Sequence, residues 1–172
     1  MVSNAGFAPQ SPIDRCDPKL LRESFELNLF AHQALASAAL EVLRAQGLGG
    51  FLLFNGSKSA FNPGAGFGPY SVPKAALVAL AKQYAVEVGE LGVRANVVHA
   101  DRIRTQLISE PELAERAKAR GLSPEQYFRS NLLRQEVTVE HVAQAFVGLA
   151  LAERTTGCVF PVDGGNIAAA PR

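Results

Sequence analysis

A tyrosine and a lysine stand four residues apart in Gly68-Pro69-Tyr70-Ser71-Val72-Pro73-Lys74-Ala75-Ala76-Leu77, where an apolar helix is expected to open. Residues at that spacing share one face of a helix, so the phenol and the ammonium point the same way. A free phenol, with a pKa near ~10, is a poor base at neutral pH. A neighbouring ammonium and the positive end of a helix dipole both favour phenolate. Tyr70 is thereby a candidate proton donor or acceptor, with Lys74 tuning it. Ser57 lies thirteen residues upstream, just after the apolar run Phe51-Leu52-Leu53-Phe54. If that run is a parallel strand, Ser57 sits at its carboxyl end, the edge where open α/β sheets bind ligands. The plainer alternatives are a lysine snorkelling past a half-buried tyrosine and a serine that merely turns the chain.

The elements that must position these groups follow from pattern. Residues 1–4 read as the end of a strand and 5–16 as a Gly/Pro-rich loop. Asp17 caps a helix over 17–45, with Pro18 at its first position, where a missing N–H costs nothing. That helix is long, so a kink is expected near Asn28; Gly47, Gly49 and Gly50 end it. The continuous apolar character of 51–54 suits a strand buried on both faces. A Gly-rich loop over 55–69 leads into a helix over 69–89, with Pro73 tolerated only in its first turn. A strand over 93–99, a loop over 101–110, and short helices near 111–119 and 123–133 come next. Thr138 caps a helix over 139–151, and a last strand covers 159–162, ended by Asp163-Gly164-Gly165. Alternating strands and helices define an α/β layer structure with a parallel sheet. The 69–89 helix is apolar around most of its circumference, as is the region of Leu35, Ala39 and Leu43. Such helices are expected to be buried on two sides, against the sheet and against a second subunit.

Composition narrows the classes. The 172 residues carry 17 basic and 16 acidic side chains, and 48% are hydrophobic. A near-neutral chain without a basic block is a poor partner for nucleic acid or an anionic membrane. The N-terminal text is not that of a signal peptide, and no apolar run is long enough to span a bilayer. Cys16 and Cys158 fit no zinc spacing, so reduced thiols, a cytoplasmic location and no metal are expected. A serine hydrolase is disfavoured, because there is no G-x-S-x-G and no histidine placed to activate Ser57. His32 and His141 are expected to pack on or cap helices. His99 is divided between packing and substrate contact, and Lys58, Arg102 and Arg104 between a solvated loop and substrate contact.

Several pieces, in order, resemble the short-chain dehydrogenase/reductase family. They are Ser3-Asn4-Ala5-Gly6, Asn28 in Phe25-Glu26-Leu27-Asn28-Leu29, Ser57, the Tyr70-x-x-x-Lys74 pair, Val93-Arg94-Ala95-Asn96-Val97-Val98 and Asp163-Gly164-Gly165. The variant text SNAGFAPQSPI, NGSKSAFNPGAGFGPY, HADRIRTQL and GGNIAAA is similar, more narrowly, to the dehydrogenase half of bifunctional rhamnulose-1-phosphate aldolase/alcohol dehydrogenases. Two departures stand out. His99-Ala100-Asp101 replaces the family's Pro-Gly after the sixth strand, and Pro73 replaces a small residue before the lysine.

The resemblance implies a Rossmann-like doubly wound parallel sheet, N-terminally truncated, with strands 4–7 present and strands 1–3 and the Gly-rich loop absent. Residues 1–172 would form one partial domain. It implies NAD(P)-dependent hydride transfer on a small alcohol or aldehyde such as lactaldehyde, with catalytic Asn28, Ser57, Tyr70 and Lys74. In that scheme Tyr70 moves the proton, Ser57 holds the substrate oxygen, Lys74 tunes the tyrosine and Asn28 orders a water. Asn4, Ala5, Gly6, Tyr70, Lys74, Ile103 and Thr105 would meet NAD or NADP. The chain is expected to form a homo-oligomer through its two apolar helices. With the cofactor's diphosphate grip missing, little or no turnover is expected of the chain alone. The alternative is a non-catalytic remnant or assembly piece that binds no cofactor.

Overall fold

The computed structural model describes residues 1–105 and 108–166. Gln106, Leu107 and the Ile167-Ala168-Ala169-Ala170 text of the resemblance lie outside the described residues. Val2–Ser3 form β1, Gly50–Asn55 β2, Val93–Ala100 β3 and Val159–Val162 β4. All pairings are parallel and the strands lie in chain order, β1-β2-β3-β4. This is the expected α/β Rossmann-like parallel sheet.

Both faces of the sheet are covered, which explains why its strands read as unbroken apolar runs. Leu52, Phe54, Ala95 and Val97 face a cluster with Ala36, Leu40, Leu77 and Ala81. The alternate residues Leu53 and Val98 face Val137, Val142 and Leu149 on the other side. The first cluster is supplied by α2 (Ala31–Gln46) and α3 (Gly68–Val88), the second by α6 (Val139–Leu151). Thr138 caps α6 as expected, and His141 closes the cap by accepting the Thr138 N–H at 3.0 Å. Arg94 on β3 donates to the carbonyls of Leu149, Ala150 and Ala152, placing a cation on the orphan carbonyls at the end of α6.

The long helix expected over 17–45 is three pieces. Asp17 caps α1 (Pro18–Phe25), a π-turn covers Glu26–Phe30, and α2 follows. The kink expected near Asn28 is this π-turn, and it presents Asn28 fully buried toward the site. Gly47 ends α2 in the left-handed conformation, with its N–H bonded to Leu43.

Pro73 corrects an expectation. It is the sixth residue of α3, beyond the first turn. The carbonyl that its absent N–H would have served, that of Pro69, is taken instead by Ser24 Oγ at 2.7 Å. Two short helices, α4 (Glu110–Lys118) and α5 (Pro124–Arg129), pack on each other around Leu113, Ala117, Tyr127 and Phe128. They meet the loops that follow β1 and β2: Gln10 donates to Glu112, and Arg116 lies over the Phe67 ring. Loops after parallel strands share one edge, so α4 and α5 sit over the carboxyl edge of the sheet.

Candidate active site

Ser57, Tyr70 and Lys74 come together at that edge. Gly56 lets the chain leave β2 tight against β3. Its N–H bonds to Val98 at 2.7 Å, and a Cβ there would lie 2.6 Å from Val97 Cγ1. Ser57 follows in extended backbone, buried, with its Oγ accepting the Ser59 N–H at 3.2 Å. Tyr70 occupies the first turn of α3 and is half-buried. Lys74, one turn on, is 2% exposed and donates to the Asn55 carbonyl at the end of β2, at 2.8 Å. Its ammonium lies 5.9 Å from the centre of the Tyr70 ring.

The electrostatics differ from the expectation that Lys74 draws Tyr70 toward phenolate. Burial pushes the Tyr70 phenol above its usual value, and the Ser57 hydroxyl beside it pulls only partly the other way. Burial also lowers Lys74 from 10.5 to about 8. Desolvation wins because burial disfavours the charged form of each group, phenolate for Tyr70 and ammonium for Lys74. Tyr70 in this state is an acid that holds its proton.

Asn28 lies beside the pair. Its carboxamide bonds the backbone of Phe7 twice, accepting the N–H at 3.3 Å and donating to the carbonyl at 3.0 Å, and donates to Ser24 Oγ at 2.9 Å. These bonds set the turn that carries Asn4, Ala5 and Gly6. A Cβ on Gly6 would lie 3.1 Å from Asn28 Oδ1 and 3.6 Å from Lys74 Nζ, so both side chains close on the same point. Both donors of Asn28 are used, while one lone pair of Oδ1 remains. Asn4 and Ala5 are exposed on this turn.

His32, one turn beyond Asn28, is a group that the sequence marked only as structural. It is fully buried, with Nδ1 2.6 Å from Ser3 Oγ. Burial, and then the charge of Lys74, lower it from 6.5 to about 4. The native state therefore refuses a proton that the unfolded chain accepts, and stability is lost as pH falls from 6.5 toward 4. Linkage puts the loss at about 3 kcal/mol once His32 is charged. Urea unfolding at pH 7 and pH 4.5 measures it, and His32→Gln, which cannot take the proton, is expected to show a shallower acid-side decline.

Other expected residues are placed as follows. Ile103 packs in the apolar cluster under α6, and Thr105 is exposed on the loop after β3. His99 is fully buried with its ring 5.2 Å from that of Phe61, a packing position. Lys58 and Arg102 are mostly shielded from water and do not stand in a solvated loop. Each is paired with buried Asp101, at 3.3 Å and 3.4 Å. Arg104 is half-exposed, pairs with Glu136 and lies over Phe128. Among the described residues no group of three or more His, Cys, Asp or Glu is arranged to hold a metal. No helix among them is long and apolar enough to cross a membrane.

A serine, tyrosine, lysine and asparagine at the carboxyl edge of a parallel sheet define a class, and comparison with known proteins agrees. A family model described as enoyl-(acyl carrier protein) reductase matches residues 1–166. The chain belongs to the short-chain dehydrogenase/reductase family of oxidoreductases. It is 33% identical over 180 residues to "Uncharacterized oxidoreductase YuxG" of Bacillus subtilis, covering 100% of this chain and 26% of that protein. It is 30% identical to "L-rhamnose 1-dehydrogenase (NAD(P)(+))" of a Sphingomonas species, over 96% of this chain and 63% of the relative. A solved short-chain dehydrogenase/reductase family oxidoreductase from Burkholderia thailandensis superposes with a TM-score of 0.81 at 32% identity, covering 98% of this chain and 64% of that one. The chain thus spans from about a quarter to just under two thirds of these relatives' own length.

Proposed function

We propose that this chain is the hydride-transfer segment of an NAD(P)-dependent oxidoreductase acting on a small alcohol or aldehyde. The observation that carries the proposal is the convergence of Ser57, Tyr70 and Lys74 beside the Gly6 turn. The residues present fit the nicotinamide-ribose half of such a cofactor. Lys74 has spent one of its three donors on Asn55, leaving two for ribose hydroxyls. Gly6 leaves open a point that Asn28 Oδ1 and Lys74 Nζ both border. When bound, the cofactor supplies or accepts the hydride. Tyr70, protonated at neutral pH, gives its hydroxyl proton to the substrate's carbonyl oxygen in the reductive direction and takes it back in the oxidative one. Ser57 Oγ holds that oxygen, and the free lone pair of Asn28 Oδ1 can order a water to return the proton to Tyr70. The narrower likeness to the dehydrogenase half of rhamnulose-1-phosphate aldolase/alcohol dehydrogenases supports a substrate of lactaldehyde size. The relative named as an L-rhamnose dehydrogenase supports a polyol or sugar-derived alcohol.

A second reading is an assembly piece without cofactor, and one feature is compatible with it. Leu29, Phe30, Ala76, Ala79 and Leu80 line an apolar groove between the π-turn and α3. Phe30, Leu35 and Val42 are about half-exposed nearby. We propose that this face pairs with a second copy of the chain in either case.

NADH fluorescence titration separates the two readings. Saturable binding is expected, weakened at least ~10-fold by Lys74→Ala, which removes two charge-assisted hydrogen bonds, and by less than about threefold in Tyr70→Phe. No binding up to millimolar NADH, with the chain oligomeric by light scattering, overturns the dehydrogenase reading in favour of the assembly piece.

A further inference from the structure

Pro73 breaks the hydrogen-bond ladder of α3 in a buried place. A helix carbonyl at 69 is normally served by the N–H of residue 73. Proline has none, and an unserved buried carbonyl is costly. Ser24, on α1, fills the gap. It is fully buried, and its Oγ donates to Pro69 at 2.7 Å across 45 residues of chain. A hydroxyl has one proton and two lone pairs, so a lone pair remains for a donor. That donor is Asn28 Nδ2, at 2.9 Å. The result is a chain of buried bonds running from Asn28 through Ser24 to the carbonyl that Pro73 leaves open. It fixes the direction of both bonds: with its proton spent on Pro69, Ser24 can only accept from Asn28. Together with the Phe7 backbone, which takes the other Nδ2 hydrogen and donates to Oδ1, this bond holds the Asn28 carboxamide with Nδ2 toward Ser24 and Oδ1 toward Gly6.

We propose that Ser24 is a positioning residue, which uses the carbonyl freed by Pro73 to orient Asn28 at the reaction edge. The orientation of Asn28 then sets the Asn4–Gly6 turn through the two Phe7 bonds. The functional part of this role rests on the dehydrogenase reading; the structural part does not.

The two parts separate in a double substitution. Ser24→Ala leaves the Pro69 carbonyl and one Asn28 donor without partners, and its unfolding midpoint is expected to fall by about 5 °C. NADH affinity falls about tenfold, because the Asn28 carboxamide that sets the turn facing the cofactor is held by one bond fewer. Ser24→Ala combined with Pro73→Ala gives residue 73 an N–H that can serve Pro69. The midpoint should recover by more than half, whereas Pro73→Ala in the presence of Ser24 gains little. NADH affinity should stay low, because Asn28 still lacks its Ser24 acceptor. An affinity that returns with the midpoint reduces Ser24 to a packing role and overturns the proposal, as does the absence of any rescue. If the wild-type chain binds no NADH, the dehydrogenase reading fails separately. The side-chain amide of Asn28 then decides the matter by NMR. Slow exchange with solvent in wild type and fast exchange in both Ser24 variants supports the positioning role, and equal exchange in all three overturns it.

Discussion

Lys74→Met is expected to stabilise the fold and, if the proposed dehydrogenase function holds, to remove NADH binding. The side chain is 2% exposed, and burial lowers its ammonium from 10.5 to about 8. Below pH 8 the native state carries a charge that it disfavours relative to the unfolded chain, a penalty of about 3 kcal/mol. Methionine fills a similar volume without the charge. It also forfeits the bond to the Asn55 carbonyl, which returns about 1–2 kcal/mol of the gain. The net is an unfolding midpoint higher by about 4 °C at pH 7. The sign of its pH dependence follows from the direction of the shift. Between pH 8 and 10.5 the unfolded chain still holds the proton that the native state has shed, so wild-type stability rises with pH through that window. The advantage of the methionine variant should be constant below pH 8 and shrink between pH 8 and 10.5. Thermal scans of both proteins at pH 7, 9 and 10.5 read this directly. A destabilised Lys74→Met at pH 7 would mean that the ammonium is held by more than the one carbonyl, and that the lysine belongs to the packing of α3. The expected outcome, a more stable protein that no longer binds, is the signature of a charge retained for chemistry against the interest of the fold.

Much of this site was legible because its signals are local. Tyr70 and Lys74 share a helix face by spacing alone, and the apolar run before Ser57 announces a buried strand. The kink at Asn28 followed from a helix too long for its setting. What stayed hidden depends on partners far along the chain. The tolerance of Pro73 beyond the first turn requires Ser24, 45 residues away from Pro69, and no periodicity reveals that meeting. The direction of the Tyr70 shift depends on how much water the fold removes, and neighbours in sequence do not report it. Lys58 and Arg102 look like solvated loop cations because charged residues near glycines and serines usually are. Both are paired with a single carboxylate that arrives from β3. The family resemblance marked that carboxylate only as a departure, His99-Ala100-Asp101 in place of Pro-Gly.

Asp101 accordingly carries the other large effect. Its side chain is 7% exposed and faces Lys58 at 3.3 Å and Arg102 at 3.4 Å, with those side chains 18% and 14% exposed. Asn166, after β4, also donates to it. Arg102 continues the chain of contacts: its guanidinium reaches the Tyr127 carbonyl and Ser130 at the end of α5, and lies 4.7 Å over the Tyr127 ring. Arg102 holds a left-handed backbone, φ 38°, which a non-glycine residue keeps only where its surroundings impose it. One carboxylate thus ties the loops after β2, β3 and β4 to the α4–α5 layer. Removing it takes the counter-charge from two cations that are mostly shielded from water, and losing one partner of a buried pair costs far more than the pair itself contributes. Asp101→Ala is expected to lose about 3 kcal/mol, a fall of about 6–12 °C in the midpoint, with Asp101→Asn losing about half as much because it keeps a polar partner in place. Hydrogen exchange should quicken in 57–60, 101–105 and 124–130 together, while β2 and β3 stay protected. If only 101–105 responds, Lys58 and Arg102 have found other partners, and α5 is held by its own apolar cluster. If all three respond, the carboxyl edge of the sheet and the layer above it move as one unit, and the residue that stands where the family places Pro-Gly is what joins them.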